Sequence, residues 1–145
     1  MNSREDPIVV EQDFDRSAPD VWNAITDIKE MRNWYFEDIP DFKAEPGFCS
    51  RFSVEAGDRT FVHIWHVTEV IPQREVIYSW KYEGFPGESS LSFEVSGDEH
   101  SAHLLVTAAI IKPFPDNIPE FKRQAGVEGW TYFIKDRLKN YLDAR

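Results

Sequence analysis

With 145 residues, 41% of them hydrophobic and 29% charged, the chain has enough apolar surface for one folded domain, residues 1–145, and is too apolar to remain disordered. Its net charge of −10, with no basic stripe to reverse the field locally, argues against nucleic acid as a partner. Cys49 is the only cysteine, so an internal disulfide and a thiolate metal cluster are both excluded, as suits a reducing cytoplasm.

Taken in chain order, Met1 to Pro7 is polar where a signal peptide needs an apolar core. No later run approaches the ~20 apolar residues that span a bilayer, so neither export nor membrane insertion is expected. Ile8 to Phe14 alternates apolar and polar residues as a half-buried strand does. Ser17 then reads as an N-cap, with Asp20 completing a capping-box pattern, and Val21, Trp22 and Ile25 form the buried side of a short helix. Asp27 and Glu30 repeat the device, which predicts a second short helix ending near Trp34 rather than one long helix.

Asp38 to Gly47, with Pro40, Pro46 and Gly47, predicts an irregular, strand-like connection. Strands follow around Phe52 and Val54, over Thr60 to Val70, over Val76 to Tyr82, around Leu91 to Val95, and over Leu104 to Ile110. Gly57-Asp58, Pro72-Gln73, Gly84 to Gly87 and Gly97-Asp98 supply the turns. Finally Val127, Trp130, Phe133, Ile134, Leu138 and Tyr141 fall at spacings of three and four, the apolar stripe of a long helix. The expectation is an α+β fold: a curved antiparallel sheet of about seven strands, two short helices between the first two strands, and a long C-terminal helix covering the concave face. One helix cannot fill such a concavity, so a cavity is expected beneath it.

These residues resemble a known family. Phe14-Asp15-Arg16-Ser17-Ala18-Pro19, followed by Val21-Trp22 and Thr26-Asp27, is similar to the entry motif of the heat-shock protein 90 ATPase activator homologues. Trp34, Val67 to Pro72, Val76 to Trp80 and Glu128-Gly129-Trp130 extend the likeness, in order, over nearly the whole chain. The resemblance implies the helix-grip fold of the START and birch-pollen-allergen superfamily, whose members bind lipids, hormones and polyketides and include some cyclases. It leaves three functions to weigh: an apolar or aromatic small-molecule binder, a chaperone-regulating protein-binding module, and a polyketide-cyclase-like enzyme. The cochaperones that give the group its name carry this domain behind a separate N-terminal domain, whereas the reading here is of one domain.

The aromatic share of 14% predicts rings that line the cavity as well as fill the core. Phe14 and Trp22 belong to the core, at the junction of strand and helix. Trp34, Phe36, Trp65, Tyr78, Trp80, Phe93, Trp130 and Phe133 are the candidate ligand-binding residues. Gly126 and Gly129 each weaken the long helix by ~1 kcal/mol relative to alanine, which suggests a close approach, a bend, or a ragged helix start. Three positions apart on a strand, His63 and His66 should face opposite sides of the sheet, and the same reasoning applies to His100 and His103. No metal site, cofactor motif or catalytic residue is assigned, and Cys49 reads as a small hydrophobe. Glu37, Asp38 and Asp41 are taken as a solvated acidic rim.

Overall fold

The computed structural model describes residues 5–144. Met1 to Arg4, the start of the polar N-terminal stretch, and Arg145 lie outside the described residues. Strand β1 (Ile8–Phe14) leads into α1 (Ala18–Thr26) and α2 (Ile28–Trp34). The strands β2 (Cys49–Ala56), β3 (Arg59–Ile71), β4 (Glu75–Tyr82), β5 (Glu88–Gly97) and β6 (Ala102–Lys112) follow. After a short 3-10 turn at Pro119–Phe121, a final helix, α3, runs through residues 123–143. The six strands form one antiparallel sheet in the order β1-β6-β5-β4-β3-β2. Among the described residues there are six strands rather than the expected seven, because Asp38 to Gly47 stays irregular. Instead Gly47 N–H donates to Val67 O and Ser50 Oγ donates to Asp41 O, tying an irregular loop to the sheet edge.

Both short helices begin as their caps dictate. Ser17 Oγ accepts from Asp20 N–H at 3.1 Å, and Asp27 Oδ1 accepts from Lys29 N–H at 2.8 Å. At that second cap the Asp27 N–H donates to Asn23 O at 2.8 Å, and the Glu30 carboxylate receives the Tyr141 hydroxyl at 3.2 Å from α3.

The final helix departs from the expected stripe. Trp130, Ile134, Leu138 and Leu142, each four residues from the last, are the buried positions, whereas Val127 is 38% exposed. A strict period of four drifts round a regular α-helix, and here residues 132–138 take the wider π conformation, which keeps the stripe against the sheet. Arg16 Nε donates to Leu142 O, Arg137 to Asn33 O and Lys135 Nζ to Glu11 O, which fastens the helix along β1 and α2.

Antiparallel register stacks the inward residues into rows. Phe52, His63 and Tyr82 form one; Trp65, Trp80, Ser89 and Ile110 the next; Tyr78, Leu91, Ala108 and Ile8 a third. The β3 bulge lies between Val67 and Glu69, beyond both histidines of that strand, so the alternation holds: His63 is buried and His66 exposed. His100 sits in the β5–β6 turn rather than on a strand. His103 on β6 bridges Asp13 and Glu11 outside the core, and the Asp13 hydrogen bond leads in raising its pKa. Cys49 is exposed on an edge strand, because it alternates with inward-facing Ser50 and Phe52.

Two turns test this backbone from opposite directions. Gln73 has φ +66° at the third position of a turn that Pro72 opens and Arg74 N–H closes on Ile71 O, a place that favours glycine. Gly87 has φ +117°, and a Cβ there would lie 2.4 Å from the Phe114 ring. In urea titrations Gln73→Gly should stabilise the protein by about 1 kcal/mol, and Gly87→Ala should destabilise it by about 2 kcal/mol or more.

Candidate functional site

Between α3 and the sheet lies a cavity of about 400 Å³. It exists because the side chains around it are small where large ones would close it. Ser89 separates Trp80 from Ile110 in its row, Ala108 follows Leu91, and Ala125, Gly126 and Gly129 face it from the helix. Gly129 makes no close approach: a Cβ built there meets nothing within 4 Å. The glycine leaves open volume where the sequence suggested a tight contact or bend.

Of the eight candidate residues, the fold brings Phe36, Trp80, Trp130 and Phe133 to the cavity wall. Trp34, Trp65, Tyr78 and Phe93 lie behind it in the core, each no more than 1% exposed. Trp34 donates its indole N–H to Ala24 O at 2.7 Å and stacks on Tyr35 at 4.6 Å, which locks α2 to α1. Tyr78 is hydroxyl-to-hydroxyl with Tyr35 at 2.9 Å, and burial raises the pKa of both phenols. Phe93 stacks on Tyr78 and meets the Trp130 ring edge-on. Glu37, Asp38 and Asp41 are exposed and away from the cavity.

Sequence reasoning missed the polar part of the wall. His63, 5% exposed, stacks on Phe52 with ring centroids 5.1 Å apart and meets Trp80 and Tyr82 edge-on. Burial pulls its pKa down to about 4, so the imidazole is neutral near pH 7. Its Nδ1 lies 3.2 Å from Phe61 O, a carbonyl that can only accept, so the proton sits on Nδ1 and Nε2 keeps a free lone pair. Ser89 is buried on the same wall, with no hydrogen bond from its hydroxyl to another described residue. Among the described residues, the enclosed Trp80 indole N–H has no acceptor in hydrogen-bond geometry. Burial pushes the Tyr82 phenol up to about 12, and the neighbouring Trp80 indole pulls it the other way. The one signal that could have found His63 was its place in the alternation, on the same face as Phe61 and Trp65.

The charged side chain at the rim is Glu120, held by Arg59 at 2.8 and 3.2 Å. This pair ties the β2–β3 hairpin to the 3-10 turn above a small cluster of Phe61, Phe114 and Phe121. Among the described residues, no helix is long and apolar enough to cross a membrane.

A curved antiparallel sheet gripping one long helix across a lined cavity defines the helix-grip class. The chain belongs to the family described as activator of Hsp90 ATPase homolog 1-like protein, whose model matches residues 15–143. No curated protein matches it. Among solved structures, DynU16, a protein of the dynemicin biosynthetic locus, aligns with a TM-score of 0.73 and 21% identity over 96% of this chain and 48% of its own; this chain thus spans about half the length of DynU16. A protein of Chromobacterium violaceum aligns at 0.76 with 17% identity, covering 95% and 97% of the two chains. CalU16 of Micromonospora echinospora aligns at 0.67 with 21% identity, covering 94% and 75%. At such identities the likeness fixes the fold alone.

His63 sets a pH dependence whose sign follows from linkage. The folded protein holds the imidazole neutral down to about pH 4, while the unfolded chain protonates near the ordinary value of 6.5. Between those values the unfolded state binds more protons, so stability falls as pH falls, by at most ~3 kcal/mol across the window. His63→Leu should remove that part of the slope. Chemical denaturation of both proteins from pH 7 to pH 4 measures the difference, and parallel curves would show that His63 titrates normally in the fold.

Proposed function

We propose that this protein binds a small apolar or aromatic molecule in the cavity between the sheet and α3. The observation that carries the reading is the wall itself: aromatic and aliphatic side chains around about 400 Å³, with His63, Tyr82 and Ser89 the polar groups within and Glu120 at the rim. A filled interior beneath one exposed apolar patch would instead favour a protein partner. Here the large exposed hydrophobic residues, Val9, Ile71, Ile111, Val127 and Tyr132, are distributed over β1, β3, β6 and α3. The family description points to a chaperone regulator, yet it specifies no surface that these residues assemble. The cyclase-like reading asks for titratable groups hydrogen-bonded to one another inside the cavity. His63 and Tyr82 approach edge-on, and no hydrogen bond joins them among the described residues. The biosynthetic setting of DynU16 is in keeping with a small-molecule cargo. A cytoplasmic location is part of the proposal, resting on the single exposed Cys49.

Gly129→Leu is the sharpest test, because it fills the cavity from an open helix position and replaces a residue that costs the helix ~1 kcal/mol. An uncharged dye such as Nile red should bind the wild type saturably and raise its Tm, by the equivalent of about 2.7 kcal/mol at a hundred times its Kd. The Gly129→Leu protein should fold with an undiminished Tm and bind at least tenfold more weakly. Equal binding by both folded proteins would place the dye elsewhere and remove the cavity reading.

A further inference from the structure

We infer that the cavity selects an uncharged ring compound bearing a hydroxyl group, which donates to Nε2 of His63, and that it discriminates against apolar carboxylates of the same size. This rests on the cavity reading above and specifies its ligand. Three observations carry it. First, among the described residues the cavity wall contains no lysine or arginine, and the charged group at its rim is Glu120, already paired with Arg59. A carboxylate entering there would lose its water without gaining a cation, and would meet the field of a chain whose net charge is −10.

Second, His63 offers an acceptor and no second donor. Its Nδ1–H is committed to Phe61 O, and no described residue occupies Nε2. His63 is itself one of the side chains that line the cavity. A ligand hydroxyl matches it, because an unoccupied buried acceptor is costly and a donor removes that cost.

Third, the shape around that nitrogen suits a flat ring. Phe36, Trp80, Tyr82 and Phe133 present ring faces and edges close to the imidazole or to each other, with Phe36 to His63 at 5.2 Å and Phe36 to Phe133 at 5.0 Å. A planar aromatic body can stack there while its hydroxyl reaches His63. Ser89, on the same wall with a hydroxyl that no described residue pairs, can donate to an acceptor elsewhere on the ligand.

Naphthalene, 1-naphthol and 1-naphthoate, titrated against intrinsic tryptophan fluorescence at neutral pH, separate these terms with one ring frame. The wild type should bind naphthol about tenfold more tightly than naphthalene, the equivalent of one net hydrogen bond, and naphthoate more weakly than either. His63→Leu should bring naphthol down to naphthalene's affinity, and His63→Gln, which restores an acceptor, should recover part of the preference. Equal affinity for naphthol and naphthalene, or tighter binding of naphthoate, in the wild type would overturn this inference and leave the cavity reading standing. A preference for naphthol that survives in folded His63→Leu would overturn the assignment to His63. Should the leucine variant fail to fold, His63→Phe carries the same comparison. Failure of all three probes to bind folded wild-type protein would defeat the cavity reading itself.

Discussion

The structure depends on one aromatic wedge, the Tyr35 ring. It follows α2 directly and is driven between the sheet and α3, stacked on Trp34 and Trp65 and edge-on to Phe133, with Trp130 and Trp80 alongside. Its hydroxyl is bonded to Tyr78 on β4, so the ring is fixed at its tip as well as along its faces. Truncating a ring so placed costs about 3 to 5 kcal/mol in proteins generally, a large share of a domain's total stability. Because the wedge fills the space at the α2 end of the helix, that end is solid core. The opposite end, where α3 begins with Ala125, Gly126 and Gly129, has no equivalent wedge, and there the cavity remains. Solidity at one end and openness at the other are two results of the same placement of large and small residues.

Polarity is distributed by the same logic. Burying His63 among Phe52, Trp80 and Tyr82 strips its water, which keeps the ring neutral and fixes its tautomer through the Phe61 carbonyl. A protonated imidazole would be an unpaired buried charge, since the one carboxylate among the described lining residues, Glu120, is taken by Arg59. His103 shows the contrast. On the outer surface, between Asp13 and Glu11, it gains stability from being charged, an effect present below the ordinary histidine pKa and lost as pH rises through its raised value. Two histidines on opposite faces of one sheet thus respond to pH in opposite senses, and only the buried one bears on the cavity.

Much of this architecture was readable from the chain. Period-two alternation placed β1 to β6, the Ser17 and Asp27 caps divided the two early helices, and the motif order pointed to the family that the match over residues 15–143 establishes. What local patterning could not resolve was the third dimension. Trp65, Tyr78, Trp80 and Phe93 share one face of the sheet, so periodicity treats them alike. Only the curvature and the angle of α3 put Trp80 at the cavity and the other three behind it. Tyr35 gives no signal in the sequence because it lies between Trp34 and Phe36 at the end of a short helix, where no periodicity assigns a face. Val127 looked like part of the helical stripe because a regular α-helix was assumed, and the π segment moves the buried line to Trp130, Ile134, Leu138 and Leu142. Gly129 was noticed for its cost to the helix, but whether the missing side chain left a contact or a void depended on what lay opposite.

The central claim is that a bound apolar molecule sits at the open end of α3 and not elsewhere on the protein. The five tryptophans report position directly, each through one indole N–H signal in a proton–nitrogen correlation spectrum. Trp80 and Trp130 line the cavity, whereas Trp22 and Trp34 belong to the packed core and lie outside its wall. Titration of folded, nitrogen-labelled protein with an uncharged aromatic compound should shift the Trp80 and Trp130 signals together and saturably, leaving those of Trp22 and Trp34 in place. Saturable binding that moves Trp22 or Trp34 while Trp80 and Trp130 stay fixed would contradict the account.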